Sequence, residues 1–189
     1  GSAPLNIVKE SLRYFNLSKA IQVATYSTIP SGIGLGTSST LMVGLVNGFS
    51  MFTGQKLSKM DIGFIAHHIE REILGMEGGV QDQYIAAFGG IQILQIDTLG
   101  KVKISPLAID MKNQHHIQEH LVLVYTGDER DSHDIVNSQK SDLRKTMEVY
   151  DKIKAIGRES EKLLIEADIE GLGKAMDRHW NLKRSISKQ

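Results

Sequence analysis

The stretch Gly34-Leu35-Gly36-Thr37-Ser38-Ser39 is the sharpest feature of the sequence, and it joins a predicted strand to a predicted helix. Before it, residues 21–26 alternate with a period of two, as a half-buried strand does. After it, residues 38–53 predict a helix that is apolar on nearly every side and is therefore buried. Glycines allow successive backbone N–H groups to turn inward, and a helix N-terminus adds positive potential. The stretch therefore predicts an anion-binding loop, with phosphate as the expected ligand.

The spacing of this loop differs from two familiar phosphate-binding patterns. No lysine follows Gly36, as it would in a Walker loop, and the last glycine of the dinucleotide fingerprint is missing. From spacing alone, a purely structural glycine-rich turn with a hydroxyl cap explains the stretch equally well.

Helical and strand periodicities along the rest of the chain predict an α+β fold with antiparallel hairpins. A helix is predicted over residues 5–16, and a second helix begins after Ser58, a suitable N-cap, and ends near Gly75. The following segments are a short helix ending at Phe88, a hairpin over 91–104, a strand over 121–125 and helices from Asp142 onward.

Several further details of packing and exposure are predicted. Gly44 and Gly48, four residues apart, would allow another backbone to approach the apolar helix closely. The isoleucines of the second helix are expected to face the core: Ile62, Ile65, Ile69 and Ile73. Three histidines, His115, His116 and His120, are assigned to a solvated polar linker.

The composition excludes several classes of function. The 189 residues include 22 Lys and Arg, 22 Asp and Glu and no cysteine, so disulfides and thiolate metal sites are excluded and no nucleic-acid partner is expected. The apolar stretch 41–52 is interrupted by polar residues and is shorter than the roughly 18 residues of a membrane span. No membrane segment or secretion signal is therefore expected, and a cytoplasmic location is the default.

Carboxylates near a second glycine-rich turn supply other parts that phosphoryl transfer requires. Glu70 and Glu72 lie late on the second helix, and Asp82 follows Gly78-Gly79 at the start of the next helix. Transfer from a nucleotide needs donors for the phosphates, oxygen ligands for Mg²⁺ and a carboxylate beside the attacking hydroxyl. The alternative for both glutamates is a solvated helix face, and we accept that alternative for Glu72.

The residues from Pro30 to Ser39 resemble the second signature of the GHMP small-molecule kinases, the superfamily of galactokinase and of homoserine, mevalonate and phosphomevalonate kinases. The stretch from His68 to Gly90 is similar to the D-glycero-D-manno-heptose 7-phosphate kinase branch. So are Tyr125-Thr126-Gly127 with Arg130-Asp131-Ser132, and His179-Trp180 with Lys183-Arg184. The resemblance covers about residues 20–188.

The resemblance implies a function and a set of site residues. It implies a kinase that uses ATP and Mg²⁺ to phosphorylate the anomeric hydroxyl of a heptose 7-phosphate. The residues implied to bind the ATP phosphates are Gly32, Gly34, Leu35, Gly36, Thr37, Ser38 and Ser39. Ser38 and Glu70 would be the Mg²⁺ ligands, and Asp82 would face the accepting hydroxyl as a base or as an electrostatic partner. Gly79 and Arg130 would contact the sugar phosphate.

The resemblance also implies the GHMP-kinase fold, in which a part similar to domain 2 of ribosomal protein S5 precedes a helical, ferredoxin-like part. We expect residues 1–110 to belong to the first part, which binds ATP, and residues 111–189 to begin the second. The first and third signatures of the superfamily are not found, so the sequence is expected to be the middle portion of a kinase. Strands without their partners would expose edges and favour a homo-oligomer.

Two alternative functions stay open. Another GHMP sugar kinase, similar to galactokinase or fucokinase, would share the loop and differ in its pocket residues. A protein of the same fold could instead bind nucleotide and sugar as a non-catalytic sensor. Ser38, Glu70 and Asp82 together argue against a sensor, because binding alone does not require all three.

Overall fold

The structure is a computed structural model that describes residues 3–18, 21–29, 33–125, 127 and 143–186. These residues form two compact units: the first contains the residues up to Gly90 together with Gly127, and the second contains the remainder. The domain boundary predicted after residue 110 falls inside the second unit and stays a prediction. In the described part of the chain, no helix has the length and apolar character needed to cross a membrane.

The regular elements among the described residues of the first unit are helices. They are α1 (Ala3–Tyr14), α2 (Thr37–Phe52), α3 (Lys59–His68) and α4 (Gln81–Phe88), with a π-helical segment at Ile69–Ile73 that continues α3. Ser58 caps α3 as predicted, because its Oγ accepts the N–H of Asp61 while the Asp61 carboxylate accepts the N–H of Ser58. The strand predicted over residues 21–26 is wrong, since these residues are irregular and pair with no described strand.

The core of the first unit lies around the apolar face of α2. Its fully buried members include Met42 and Val46 of α2 and Ile69 of the π-helix. Phe52, by contrast, is 70% exposed, so the prediction that α2 is buried on nearly every side does not hold at its C-terminal end. No atom of the described residues lies within 4 Å of a Cβ placed on Gly44 or Gly48, so no described backbone uses the space that these two glycines leave beside α2.

The helical period of the isoleucines holds up to Ile69 and then changes. Ile62, Ile65 and Ile69 are buried as predicted, whereas Ile73 is 44% exposed. The N–H of Leu74 bonds to the carbonyl of Ile69, five residues back, and this wider turn changes the phase on which the α-helical prediction depended.

The described residues of the second unit form a two-stranded antiparallel hairpin and three helices. Strands β1 (Gln92–Ile96) and β2 (Val102–Pro106) pair as predicted, and α5 (Met111–His120), α6 (Leu143–Glu166) and α7 (Ile169–Ile186) follow.

The three histidines of α5 are exposed, but the linker prediction is wrong, because Asp110 caps a regular helix. Residues 121–125 are irregular and exposed rather than a strand. The mixture of helices with an antiparallel hairpin confirms the α+β prediction.

Candidate active site

The glycine-rich loop ends at Gly36, which immediately precedes α2. Gly36 has a φ of 65°, in the left-handed region that favours glycine, and this conformation turns the chain into the helix. Among the described residues, no side chain caps the first turn of α2. The N–H groups of that turn and the positive end of the helix dipole therefore remain available to a bound anion, as an anion-binding loop requires.

The carboxylate of Asp82 lies beside this helix start. A Cβ placed on Gly36 would be 3.3 Å from Cγ and 3.4 Å from Oδ2 of Asp82. Asp82 is exposed and lies in the first turn of α4, where the helix dipole stabilises a negative charge. The fold thus brings an exposed carboxylate to the edge of the glycine-rich loop.

A buried polar cluster, Ser39–Glu70–Gln83, links the three segments that carry these residues. Oγ of Ser39 donates to Oε2 of Glu70 at 2.9 Å. Nε2 of Gln83 donates to Oγ of Ser39 at 3.1 Å and also to Oε2 of Glu70. Ser39 is 2% exposed, and the other two residues are fully buried. Hydrogen bonds between buried polar groups therefore tie α2, the π-helix and α4 together.

Arg71, the neighbour of Glu70, holds the glycine-rich turn before α4. Its Nη1 donates to the carbonyls of Met76 and Glu77 at 3.0 and 3.2 Å. Its Nε and Nη2 both donate to the carbonyl of Gly79, at 3.3 and 3.1 Å. A planar guanidinium can bind several carbonyls at once, and here it fixes the turn that leads to Asp82.

The oxygen atoms of the cluster fit a hard divalent cation. Oε1 of Glu70 is buried and meets no hydrogen-bond donor in the described part of the chain, and the same is true of Oε1 of Gln83. Carboxylate and amide oxygens are the ligands that Mg²⁺ prefers. No group of three or more His, Asp or Glu residues within the described ranges could hold a metal by itself. Further ligands would have to come from phosphate or water, as is usual for Mg²⁺ in nucleotide sites.

The predicted site residues are distributed as follows. Ser38 and Thr37 are half-buried in the first turn of α2, whereas Leu35 is 46% exposed. The hydroxyl that contacts Glu70 belongs to Ser39, the residue after the predicted ligand Ser38. Gly79 is exposed in the turn held by Arg71, and Glu72 is exposed in accordance with its assignment to a solvated face. Gly32 and Arg130 lie outside the described residues.

Burial shifts two titrating groups near the site. It lowers the pKa of His67, and the positive charge of Arg71 lowers that pKa further. Burial also raises the pKa of Tyr84, whose ring packs α4 against α3 at Gly63. Both residues are accordingly neutral near pH 7.

Sequence reasoning missed the roles of Arg71 and Gln83. Arg71 was one of several charges on a helix, and Gln83 was one polar residue in the first turn of another. The sequence offered one indication of both roles: Arg71 directly follows the predicted site residue Glu70, and Gln83 directly follows Asp82. Proximity alone does not reveal that the side chain of Gln83 is buried.

The loop at the start of α2 has the features expected of a phosphate-binding loop, and the comparison with known families specifies the class of protein. Residues 5–90 match the family described as "GHMP kinases N terminal domain". This match, together with the relatives described next, confirms the resemblance to the GHMP kinases seen in the sequence.

Individual relatives extend the similarity beyond this domain. The chain is 36% identical over 165 residues to the D-glycero-alpha-D-manno-heptose 7-phosphate kinase of Campylobacter jejuni, covering 86% of this chain and 49% of that protein. It is similar to the crystal structure of a D-glycero-D-manno-heptose 1-phosphate kinase from Bacteriodes thetaiotaomicron, with a TM-score of 0.77 and 25% identity over 95% of this chain and 55% of that chain. A mevalonate kinase structure, with a TM-score of 0.52 and 22% identity, shares the fold. The chain thus spans about half the length of these relatives.

Proposed function

We propose that these residues belong to an ATP-dependent kinase that transfers the γ-phosphoryl group to the anomeric hydroxyl of a heptose 7-phosphate. The observation that carries the proposal is the position of Asp82, whose carboxyl carbon would lie 3.3 Å from a Cβ on Gly36. A phosphate bound at the start of α2 would therefore be next to a carboxylate that can face an acceptor hydroxyl. The identity with the Campylobacter heptose 7-phosphate kinase supports the choice of acceptor.

The loop would act by binding and orienting the nucleotide. Gly34, Gly36 and the first turn of α2 offer backbone N–H groups and the helix dipole to the phosphates. Donors that are fixed before the reaction stabilise charge on the transferred group without reorganising during transfer. The hydroxyl groups of Thr37 and Ser38, both half-buried in that turn, add polar groups at the same end of the helix.

In the transfer, a bond forms between the acceptor oxygen and the γ-phosphorus, and the bond from that phosphorus to the β,γ-bridging oxygen breaks. ADP leaves with the electron pair of that bond. Asp82 either takes the proton of the acceptor hydroxyl or orients it by its charge, and we assign it to this place because it is the exposed carboxylate beside Gly36.

Ser38 and Glu70 are the residues that we propose to hold Mg²⁺, which would neutralise charge on the phosphates when bound. The unpartnered Oε1 of Glu70 supports this role for the glutamate. Gly79 and Arg130 are proposed to contact the sugar phosphate, and a guanidinium suits its 7-phosphate because it offers two aligned donors.

The test is turnover by the intact protein with ATP and Mg²⁺. The acceptors to compare are heptose 7-phosphate, heptose 1-phosphate, galactose, fucose and mevalonate, with ADP release and ³¹P NMR of the product as readouts. We expect turnover with heptose 7-phosphate and a new anomeric phosphate signal. Turnover only with heptose 1-phosphate or with another acceptor would overturn the choice of substrate. Binding of ATP and sugar phosphate without any ADP release would favour the sensor.

A further inference from the structure

Gln83 is a buried polar residue that the proposed phosphoryl transfer does not use. It directly follows Asp82 on α4, but Asp82 is exposed whereas Gln83 has no exposed surface. Burying an amide is costly unless its polar atoms are hydrogen-bonded. The contacts of Gln83 should therefore explain why an amide occupies this position.

The amide nitrogen of Gln83 is directed at the buried carboxylate of Glu70. Nε2 donates to Oε2 of Glu70 and, at 3.1 Å, to Oγ of Ser39, which itself donates to the same carboxylate oxygen at 2.9 Å. An ionised carboxylate only accepts hydrogen bonds, so the nitrogen of the amide, and not its oxygen, must face Glu70. The orientation of the amide is therefore fixed by chemistry.

The two oxygen atoms of the Glu70 carboxylate are left in unequal surroundings. Oε2 accepts two hydrogen bonds, whereas Oε1 is buried and has no donor within the described ranges. Two bonds on one oxygen fix the rotation of the carboxylate about its last side-chain bond. A fixed carboxylate with one unsatisfied oxygen is poised to bind a cation through that oxygen.

We propose that Gln83 is a positioning residue, which holds the Glu70 carboxylate by Oε2 so that Oε1 is presented to a divalent cation. The inference rests on the proposed function, because that function supplies the cation together with the nucleotide. Gln83 touches neither reacting atom in this scheme and acts only through Glu70. Its effect should therefore appear in cation affinity rather than in binding of the sugar.

The test compares Gln83→Met with Gln81→Met in the intact protein. Methionine is similar in length but has no N–H donors, and Gln81 is an exposed residue on the same helix that serves as a matched control. Binding of Mn²⁺ is followed by electron paramagnetic resonance with a non-hydrolysable ATP analogue present. We expect about 10- to 100-fold weaker Mn²⁺ binding by Gln83→Met, the usual effect of losing a group that orients a metal ligand. Gln81→Met should match the wild type.

Kinetics separate this role from a packing role. The apparent constant for activation by Mg²⁺ should rise in Gln83→Met, activity should partly recover at high Mg²⁺, and KM for the sugar phosphate should be unchanged. Gln83→Leu also removes the side-chain donor and adds no charge, so it should also lose Mn²⁺ affinity. It provides the test if the methionine variant does not fold by circular dichroism.

Failure of this inference is distinguishable from failure of the proposed function. If the wild type phosphorylates a sugar phosphate and either folded variant binds Mn²⁺ as tightly as the wild type, the positioning role is refuted. If the wild type binds no Mn²⁺ with nucleotide and transfers no phosphate, the proposed function fails, and the role of Gln83 fails with it.

Discussion

The carboxyl group of Asp82 is in near contact with Gly36, so that a single methyl group on the glycine would lie 3.3 Å from Cγ of the aspartate. This proximity joins the start of α2 to the start of α4. It also makes Gly36 sensitive to substitution for two separable reasons, a positive φ and a crowded neighbour.

Gly36→Ala should reduce both stability and activity. A left-handed conformation costs an alanine about 1–2 kcal/mol, and the new methyl group would also press on Asp82. Gly34→Ala is the matched control, because Gly34 has a φ of 79° but no atom of the described residues within 4 Å of a Cβ placed there. Urea unfolding should show a loss of stability in both variants, somewhat larger in Gly36→Ala, and kcat should also fall further in Gly36→Ala. Equal kcat values in the two variants would show that the contact between residue 36 and Asp82 does not affect catalysis.

Asp82→Asn should preserve the fold and reduce kcat by about 10²- to 10⁴-fold, the usual contribution of a general base. The loss of a negative charge in the first turn of α4 should cost only about 0.3–1 kcal/mol of stability. Steady-state ADP release measures the first effect and thermal unfolding measures the second. An unchanged kcat would remove Asp82 from the proposed mechanism.

Glu70→Gln should impair turnover at least as much as Asp82→Asn, because positioning and charge neutralisation dominate phosphoryl transfer. Glu72→Gln is the matched control, since Glu72 is exposed in the same π-helix. Both variants are compared by kcat across a series of Mg²⁺ concentrations. We expect Glu72→Gln to resemble the wild type, and an equal effect of the two substitutions would contradict a metal-binding role for Glu70.

Arg71→Met should loosen the turn before α4. The substitution removes the donors to the carbonyls of Met76, Glu77 and Gly79, and we expect a loss of about 1–3 kcal/mol in the free energy of unfolding. Faster hydrogen exchange should be confined to residues 76–82. Arg13→Met is a suitable control, since Arg13 is an exposed side chain paired with Glu10. Uniformly faster exchange over the whole chain would indicate global destabilisation instead.

His67 should make stability depend on pH below neutrality. Its pKa in the folded protein is lowered from 6.5 by burial and by Arg71, so the unfolded chain binds the proton more readily. Stability is therefore fully present above pH 6.5 and is lost as the pH falls through 6.5 to the lower folded pKa. His67→Gln should reduce this dependence in urea unfolding between pH 5 and 7. Part of it should persist, because burial and Lys183 lower the pKa of His179 in the same direction.

The sequence was most informative where a pattern is local. The N-cap at Ser58, the apolar period of α2 and the alternation in β1 each depend on residues a few positions apart, and each was predicted. The alternation in residues 21–26 is equally local, but a strand requires hydrogen bonds from a partner, which the described residues do not supply. Residues 121–125 failed as a strand for the same reason.

The candidate site was predicted in part. The loop and Asp82 could be placed together because their motifs resemble those of a known family, and the structure brings the two into proximity. The place of Gln83 depends on three helical segments that converge on one buried carboxylate, and no spacing in the sequence encodes that convergence. The change of period at Ile73 was equally hidden, because it results from the π-helix.

Because the start of α2 is uncapped, anion binding there should change the unfolding temperature of the first unit. Any anion that satisfies the N–H groups after Gly36 binds the native chain and not the unfolded one, and it raises the unfolding temperature by mass action. Inorganic sulfate and a triphosphate should therefore both produce a thermal shift, with the larger shift for whichever compound binds more tightly at a given concentration. This folding-linked response provides a screen for nucleotides that does not depend on catalysis.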